Sequence, residues 1–285
     1  VITESPRVID AHHHVWDLSV RDQDWITGPE LAPLRRDFGL EDLRTQARAA
    51  GVEATVLVQT VCVPEETPEL LALADADPLA VGVVGWTDLT EPDIADTLAD
   101  LCALPGGRHL VGIRHQVQSE PDPEWLLRPD VRRGLVAVGA ARLAYDLVIT
   151  PDQLPAATRA AVAAPGVTFV LDHLGKPRIA TAEVEPWASR LRAFASLPNT
   201  VAKLSGLTTE ADWHHWTTDD LRRFTDVALA AFGPRRLLFG SDWPVCTLAA
   251  DYVRVVDTTR GLLSALSPSE RAAILGGNAA RVYRL

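Results

Sequence analysis

The sequence predicts a (β/α)8 barrel, an α/β fold of the TIM type in which eight parallel strands alternate with helices. Three observations carry the prediction. Eight short apolar, β-branched runs recur along the chain, their starts about 33 residues apart on average. Each is followed by a stretch of helical periodicity. The runs are apolar on both faces, as strands are in a parallel sheet covered by helices. A length of 285 residues fits one such barrel, so a single domain over residues 1–285 is expected. A doubly wound open sheet competes, but its usual mark is a glycine-rich phosphate loop after the first strand. Here that place holds three histidines, a valine and a tryptophan, His12 to Trp16.

Taken in order, the first run is RVIDAHH (7–13). A polar, turn-rich loop from Asp17 to Phe38 follows, a natural position for a lid or specificity element at a barrel mouth. The next helix reads LEDLRTQARAAG, with Leu40, Leu43 and Ala47 on one face and Gly51 as its C-terminal cap. The later runs are ATVLVQT (54–60), LAVGVVGW (79–86), HLVGIRHQV (109–117), LAYDLVI (143–149), TFVLDHLG (168–175) and TVAKLSGL (200–207). The loop after the seventh, 208–217, carries Trp213, His214, His215 and Trp216 and either lines the mouth or packs on its neighbours. A helix from Thr218 to Gly233 leads to the eighth run, RLLFGSDW (236–243). The last helix opens on SPSE, with Ser267 as cap, Pro268 in the first turn and Glu270 completing a capping box.

Charge and cysteine usage narrow the function classes. A net charge of −11 opposes nucleic acid and anionic membranes at long range. No run approaches 18 consecutive apolar residues, and no basic stretch followed by an apolar one opens the chain. The expectation is a cytoplasmic protein that takes a small molecule, with neither nucleic acid nor membrane as partner. Cys62, Cys102 and Cys246 are odd in number and form no C-x-x-C pair, which argues against a disulfide framework or a cysteine zinc site. Composition leaves the oligomeric state open.

In this fold, chemistry sits at the C-terminal ends of the strands, and polar residues crowd those ends here. Alternation along the first strand puts His12 and His14 on one face and His13 on the other. Two imidazoles so spaced can meet a metal ion or a substrate oxygen, while His13 reads as a packing residue. Asp242, in the tight turn after the eighth run, is the expected general base; capping the next helix is its bland alternative. His173 and Arg114 can polarise a carbonyl, or serve as a buried histidine and a structural ion pair. His115, Asp146 and Lys203 are candidate substrate contacts, with Lys203 facing inward to a ligand or a buried aspartate, or outward beneath a helix. Trp16, Trp86 and Trp243 near strand ends can offer apolar faces to a ligand or fill the core. Arg21, Arg35 and Arg36 in the first long loop either meet an acidic substrate or form a solvated face.

DAHHH, GIRH, DHLGKP, KLSGL, LLFGSDWPV and the closing GGNAARVY, in this order, resemble the amidohydrolase superfamily. More narrowly they are similar to its sugar-lactone hydrolases, the branch that includes L-fuconolactonase and L-rhamnonolactonase, with pyrone dicarboxylate lactonases as relatives. The motifs run from residue 10 to residue 283. The resemblance implies a barrel with the first-strand H-x-H at His12 and His14, the sixth-strand histidine at His173 and the eighth-strand aspartate at Asp242. It also implies opening of an aldonolactone to its aldonic acid. Binuclear members carry a carbamylated lysine at the end of strand four, where this chain has Arg114 and His115. Decarboxylase-like members carry a strand-five metal histidine, where this chain offers Asp146. The implied cofactor is therefore one divalent ion, zinc by its ligand types, on His12, His14 and Asp242 with or without Asp146, or none. A metal-dependent decarboxylase and an inactive ligand-binding barrel are the alternatives.

Overall fold

The computed structural model describes residues 7–285. Its strands are β1 (Ile9–His13), β2 (Ala54–Val58), β3 (Ala80–Gly85), β4 (Leu110–His115), β5 (Ala144–Leu147), β6 (Thr168–Leu171), β7 (Thr200–Leu204) and β8 (Leu237–Phe239). They pair in parallel in sequence order, as all eight runs predict. The chain beyond β8 closes the ring: Asp242 N donates to His12 O at 2.8 Å and His14 N to Trp243 O at 2.7 Å. The barrel helices are α1 (Leu40–Ala49), α2 (Glu66–Ala76), α3 (Ile94–Ala103), α4 (Pro129–Ala140), α5 (Leu154–Ala163), α6 (Trp187–Ala195), α7 (Thr218–Phe232) and α8 (Tyr252–Leu262). Among the described residues no helix is long and apolar enough to cross a membrane.

Local signals set several boundaries. Leu40, Leu43 and Ala47 form the buried face of α1, and Gly51 follows it at φ 66°. Ser267 accepts from Glu270 N and opens α9 (Pro268–Ala272) through the expected capping box. A short helix α10 (Asn278–Tyr283) ends the chain, and its side chains reach into the barrel. Asn278 Nδ2 donates to Leu237 O at 2.7 Å, and Tyr283 Oη to Asp146 Oδ2 at 2.7 Å.

Two apolar layers follow from strand alternation. Val56, Val58, Val84, Val170, Val201 and Leu238 pack inside the barrel with Ile9 and Ala11. Leu57, Val83, Tyr145, Phe169 and Phe239 point outward to the helices. One irregularity governs the site. Ile9 and Ala11 are interior residues, so strict alternation would turn His13 inward and His12 outward. β1 instead carries a bulge: Asp10 pairs with Thr55 and His13 with Leu57, three residues of β1 against two of β2. The extra residue resets the alternation and sends His12 and His14 inward. Asp10 holds it, its Oδ1 accepting from His12 N at 3.1 Å and Ser241 N at 2.8 Å, and its Oδ2 from Tyr252 Oη at 3.0 Å.

Candidate active site

A cavity of about 160 Å³ opens at the C-terminal mouth. That is room for about five waters at roughly 30 Å³ each, the scale of a small metabolite. His14, Arg114, His173 and Asp242 line its floor. Its wall includes Thr60, Gln116, Gln118 and Ser119, with Trp25 and Lys176 beside them. A larger groove of about 560 Å³ lies between the Asp17–Phe38 loop and α2. It is mostly apolar and bridged by the Arg21–Glu69 ion pair at 2.8 Å.

Three imidazoles surround one carboxylate oxygen on the cavity floor. Asp242 Oδ1 lies 3.5 Å from His14 Nε2, 3.7 Å from His12 Nε2 and 3.8 Å from His173 Nε2. His12 Nε2 and His14 Nε2 are 3.2 Å apart. His14 Nδ1 sits 2.7 Å from Val58 O, so it carries the proton and leaves Nε2 a bare lone pair. His12 Nδ1 meets both Lys203 Nζ at 3.1 Å and Asp172 Oδ1 at 3.3 Å. If it accepts from Lys203, His12 Nε2 keeps a proton for His14; if it donates to Asp172, Nε2 is free for a cation. The donors suit one ion, since a tetrahedral centre with ligands at about 2.1 Å sets them about 3.4 Å apart. The group whose ligand atoms all lie within 4.8 Å of one another is His12, His173 and Asp242. His173 thus joins the set that the sequence assigned to His12, His14 and Asp242.

Burial tunes these groups. It holds the His12 imidazole well below its ordinary range and takes His173 down to about 4, despite the pull of nearby carboxylates. Burial also raises the Asp242 carboxyl, but His173, His14 and His12 outweigh it and keep the group below the usual carboxylate range. At neutral pH the Asp242 carboxylate is ionised beside neutral His12 and His173 imidazoles.

Beneath the floor lies a closed ionic layer. Lys203 Nζ contacts Asp146 Oδ2 at 2.5 Å and Asp172 Oδ1 at 3.0 Å. Arg114 spends Nε on Gln59 Oε1 at 3.0 Å, Nη1 on Asp172 Oδ2 at 3.0 Å and Nη2 on Gln59 O, leaving few donors for the cavity. Lys203, His12 and Arg114 overcome burial to hold Asp172 well below the carboxylate range, whereas burial lifts Asp146 to about 6.

The structure corrects five expected substrate contacts, none of which borders the cavity. Lys203 and Asp146 face inward but are fully buried against each other, and Asp146 lies beneath the cavity rather than at the mouth where an ion would sit. His115 follows Arg114 on the strand and so points the other way. There it stacks on Trp125, with centroids 4.2 Å apart, and meets Glu120 at 2.6 Å. Trp16 and Trp243 are buried on either side of Phe38. Trp86 Nε1 donates to His115 Nδ1 at 2.9 Å. His13 is buried, its Nε2 2.8 Å from Thr55 Oγ1. In the long loop Arg21 pairs with Glu69, Arg35 with Asp22, and Arg36 covers Phe38. Trp213–Trp216 does not border the cavity; Trp216 is buried and His215 exposed. The three cysteines are free.

Sequence reading missed Lys176 and Trp25. Ser205 Oγ lies 2.9 Å from His173 Nδ1, and the φ of 63° at Gly206 leaves space for that ring. Ser205, two residues beyond the inward Lys203, is one of the polar residues that the sequence places at the end of the seventh run.

A closed parallel barrel with a histidine–aspartate cluster at its C-terminal mouth has the architecture of a barrel hydrolase, and three of its side chains are placed so that they could hold one metal ion. The chain belongs to the amidohydrolase family, whose model matches residues 9–285. It is 40% identical to an L-fucono-1,5-lactonase of Burkholderia multivorans, over 97% of this chain and 96% of that protein. It is 37% identical to an L-fucono-1,5-lactonase of Burkholderia ambifaria, over 97% and 95%. A crystal structure of an amidohydrolase from Burkholderia multivorans with bound zinc superposes at a TM-score of 0.91, with 38% identity over 98% of this chain and 99% of that one.

Proposed function

We propose that this enzyme opens a small sugar-derived lactone, of the L-fucono-1,5-lactone type, to its aldonic acid. The observation that carries the reading is Asp242: an ionised carboxylate, ringed by three imidazoles, on the floor of a small polar cavity. The two lactonase relatives, aligned over nearly their whole length, support the substrate class.

Water held by Asp242 attacks the lactone carbonyl carbon, and Asp242 takes its proton. The carbonyl oxygen becomes negative and faces His173 and the remaining Arg114 donors, which stabilise it. Collapse breaks the bond to the ring oxygen, which leaves with the proton that Asp242 accepted, passed directly or through His173. One water is consumed, and the hydroxyl and carboxyl of an open-chain acid appear. Thr60, Gln116, Gln118 and Ser119 supply hydrogen bonds for a hydroxyl-rich ligand that displaces water. His12, His173 and Asp242, with His14 beside them, would hold one zinc ion, which would supply Lewis-acid polarisation of the carbonyl.

The test is hydrolysis of a panel of L- and D-aldonolactones, with metal content measured, before and after exhaustive chelation. Turnover of an aldonolactone, with or without metal, supports the reading. No turnover across the panel in either state overturns it.

A further inference from the structure

Of the 27 basic residues in this chain, 25 are arginine and only two are lysine, Lys176 and Lys203. Both lie at the site. Lysine brings a compact ammonium with three freely directed donors, which arginine's planar fork does not. Lys203 is spent on two aspartates and His12 in the buried layer. Lys176 is not: it borders the cavity, and its carboxylate partner, Glu210, stands 3.8 Å away.

The backbone places it there at a cost. His173, Leu174, Gly175 and Lys176 have φ of 53°, 52°, 70° and 55°, four successive residues in the left-handed region. Such a run is disfavoured for L-residues other than glycine. It curls the chain back on itself, Lys176 N donating to His173 O at 2.9 Å, so the lysine stands beside the catalytic histidine at the mouth. Arg114, the other cation bordering the cavity, already spends three of its nitrogens on Gln59 and Asp172.

Resting on the lactonase reading, we propose that Lys176 is the product-recognition group of this enzyme and binds the carboxylate that hydrolysis creates. The lactone is neutral and its aldonate is an anion. A weakly partnered ammonium at the mouth therefore discriminates between them and controls how tightly product is held. Glu210 is the counter-charge that takes Lys176 back when product leaves.

The experiment compares wild type with Lys176→Asn and Lys176→Arg, using L-fuconate as the probe in calorimetric binding and as an inhibitor of L-fucono-1,5-lactone hydrolysis. Asparagine tolerates the left-handed conformation better than most residues, so the first variant keeps the turn. Lys176→Asn is expected to weaken L-fuconate binding at least tenfold, several times more than it lowers kcat/KM. Lys176→Arg should keep product affinity within about threefold of wild type by retaining the charge. Unchanged L-fuconate affinity in Lys176→Asn, an equal loss of product affinity and kcat/KM, or equal damage from both substitutions overturns the proposal. Wild type that hydrolyses no lactone overturns the lactonase reading and this inference with it; active wild type with any of the three patterns above overturns this inference alone.

Discussion

Asp242 Oδ1 and His173 Nε2 face each other at 3.8 Å, and both residues hold left-handed backbones, φ 60° and 53°. Each lies just past the end of a strand, where continued extended chain would carry its side chain up and away from the floor. Strain of this kind, of order 1–3 kcal/mol per residue, persists where the surroundings enforce it, and two instances meet across one cavity.

Asp242→Asn removes the proton acceptor and keeps a residue that tolerates φ 60°. Lactone hydrolysis should fall by about 10²–10⁴-fold with an unchanged far-UV circular dichroism spectrum. A folded variant with more than a tenth of the wild-type rate would remove Asp242 from the role of base.

Gly206→Ala attacks the support behind His173. A Cβ at this φ of 63° would stand 2.6 Å from His173 Nδ1, so the ring must move off Ser205. The backbone alone costs about 1–2 kcal/mol. The expected result is a lower thermal midpoint with at least a tenfold loss of kcat; full activity at lower stability would show that the ring position does not matter.

Lys203→Met leaves Asp146 and Asp172 facing one another without their shared cation, 0% exposed. Breaking a buried pair in this way costs about 3–5 kcal/mol. Denaturant unfolding should register that loss, and adding Asp146→Asn should recover part of it. A single variant as stable as wild type would contradict the structural assignment of this lysine.

His13 gives a pH signature separate from catalysis. Thr55 Oγ1 donates to Leu79 O at 3.3 Å and accepts from His13 Nε2, which leaves His13 Nδ1 buried without a partner. Burial accordingly lowers the His13 pKa from 6.5 to about 3. The unfolded chain therefore binds this proton first as pH falls. The stability held by neutral His13 is complete above about pH 6.5 and declines toward pH 3, by up to about 1.4 kcal/mol per pH unit. In unfolding experiments at a series of pH values, His13→Gln should lose less stability than wild type between pH 6.5 and 4. Parallel profiles would exclude the effect.

The residues legible in advance are those whose role follows from place along a strand. Asp242, His173, Arg114, His12 and His14 all border or underlie the cavity, because a barrel brings strand ends together. Lys203, Asp146 and His115 sit equally near strand ends yet serve other purposes. His115 is turned to the opposite face and stacked on Trp125, whereas the first two have partners from distant segments: Lys203 from Asp146, 57 residues away, and Asp146 also from Tyr283, 137 residues away. Trp16 and Trp243 fill the core around Phe38 for the same reason.

The sequence by itself determined the eight strands, their helices and caps, and the end of the barrel where chemistry gathers, because periodicity and turn chemistry act over a few residues. Only the tertiary structure decided which way adjacent side chains point and which charges cancel. The bulge between Asp10 and His13, held by Ser241 and Tyr252 from far along the chain, is what turns His12 and His14 inward. The left-handed turn at His173–Lys176 is what brings Lys176 to the mouth. Both are conformations that local preference opposes and that contacts across the closed barrel impose.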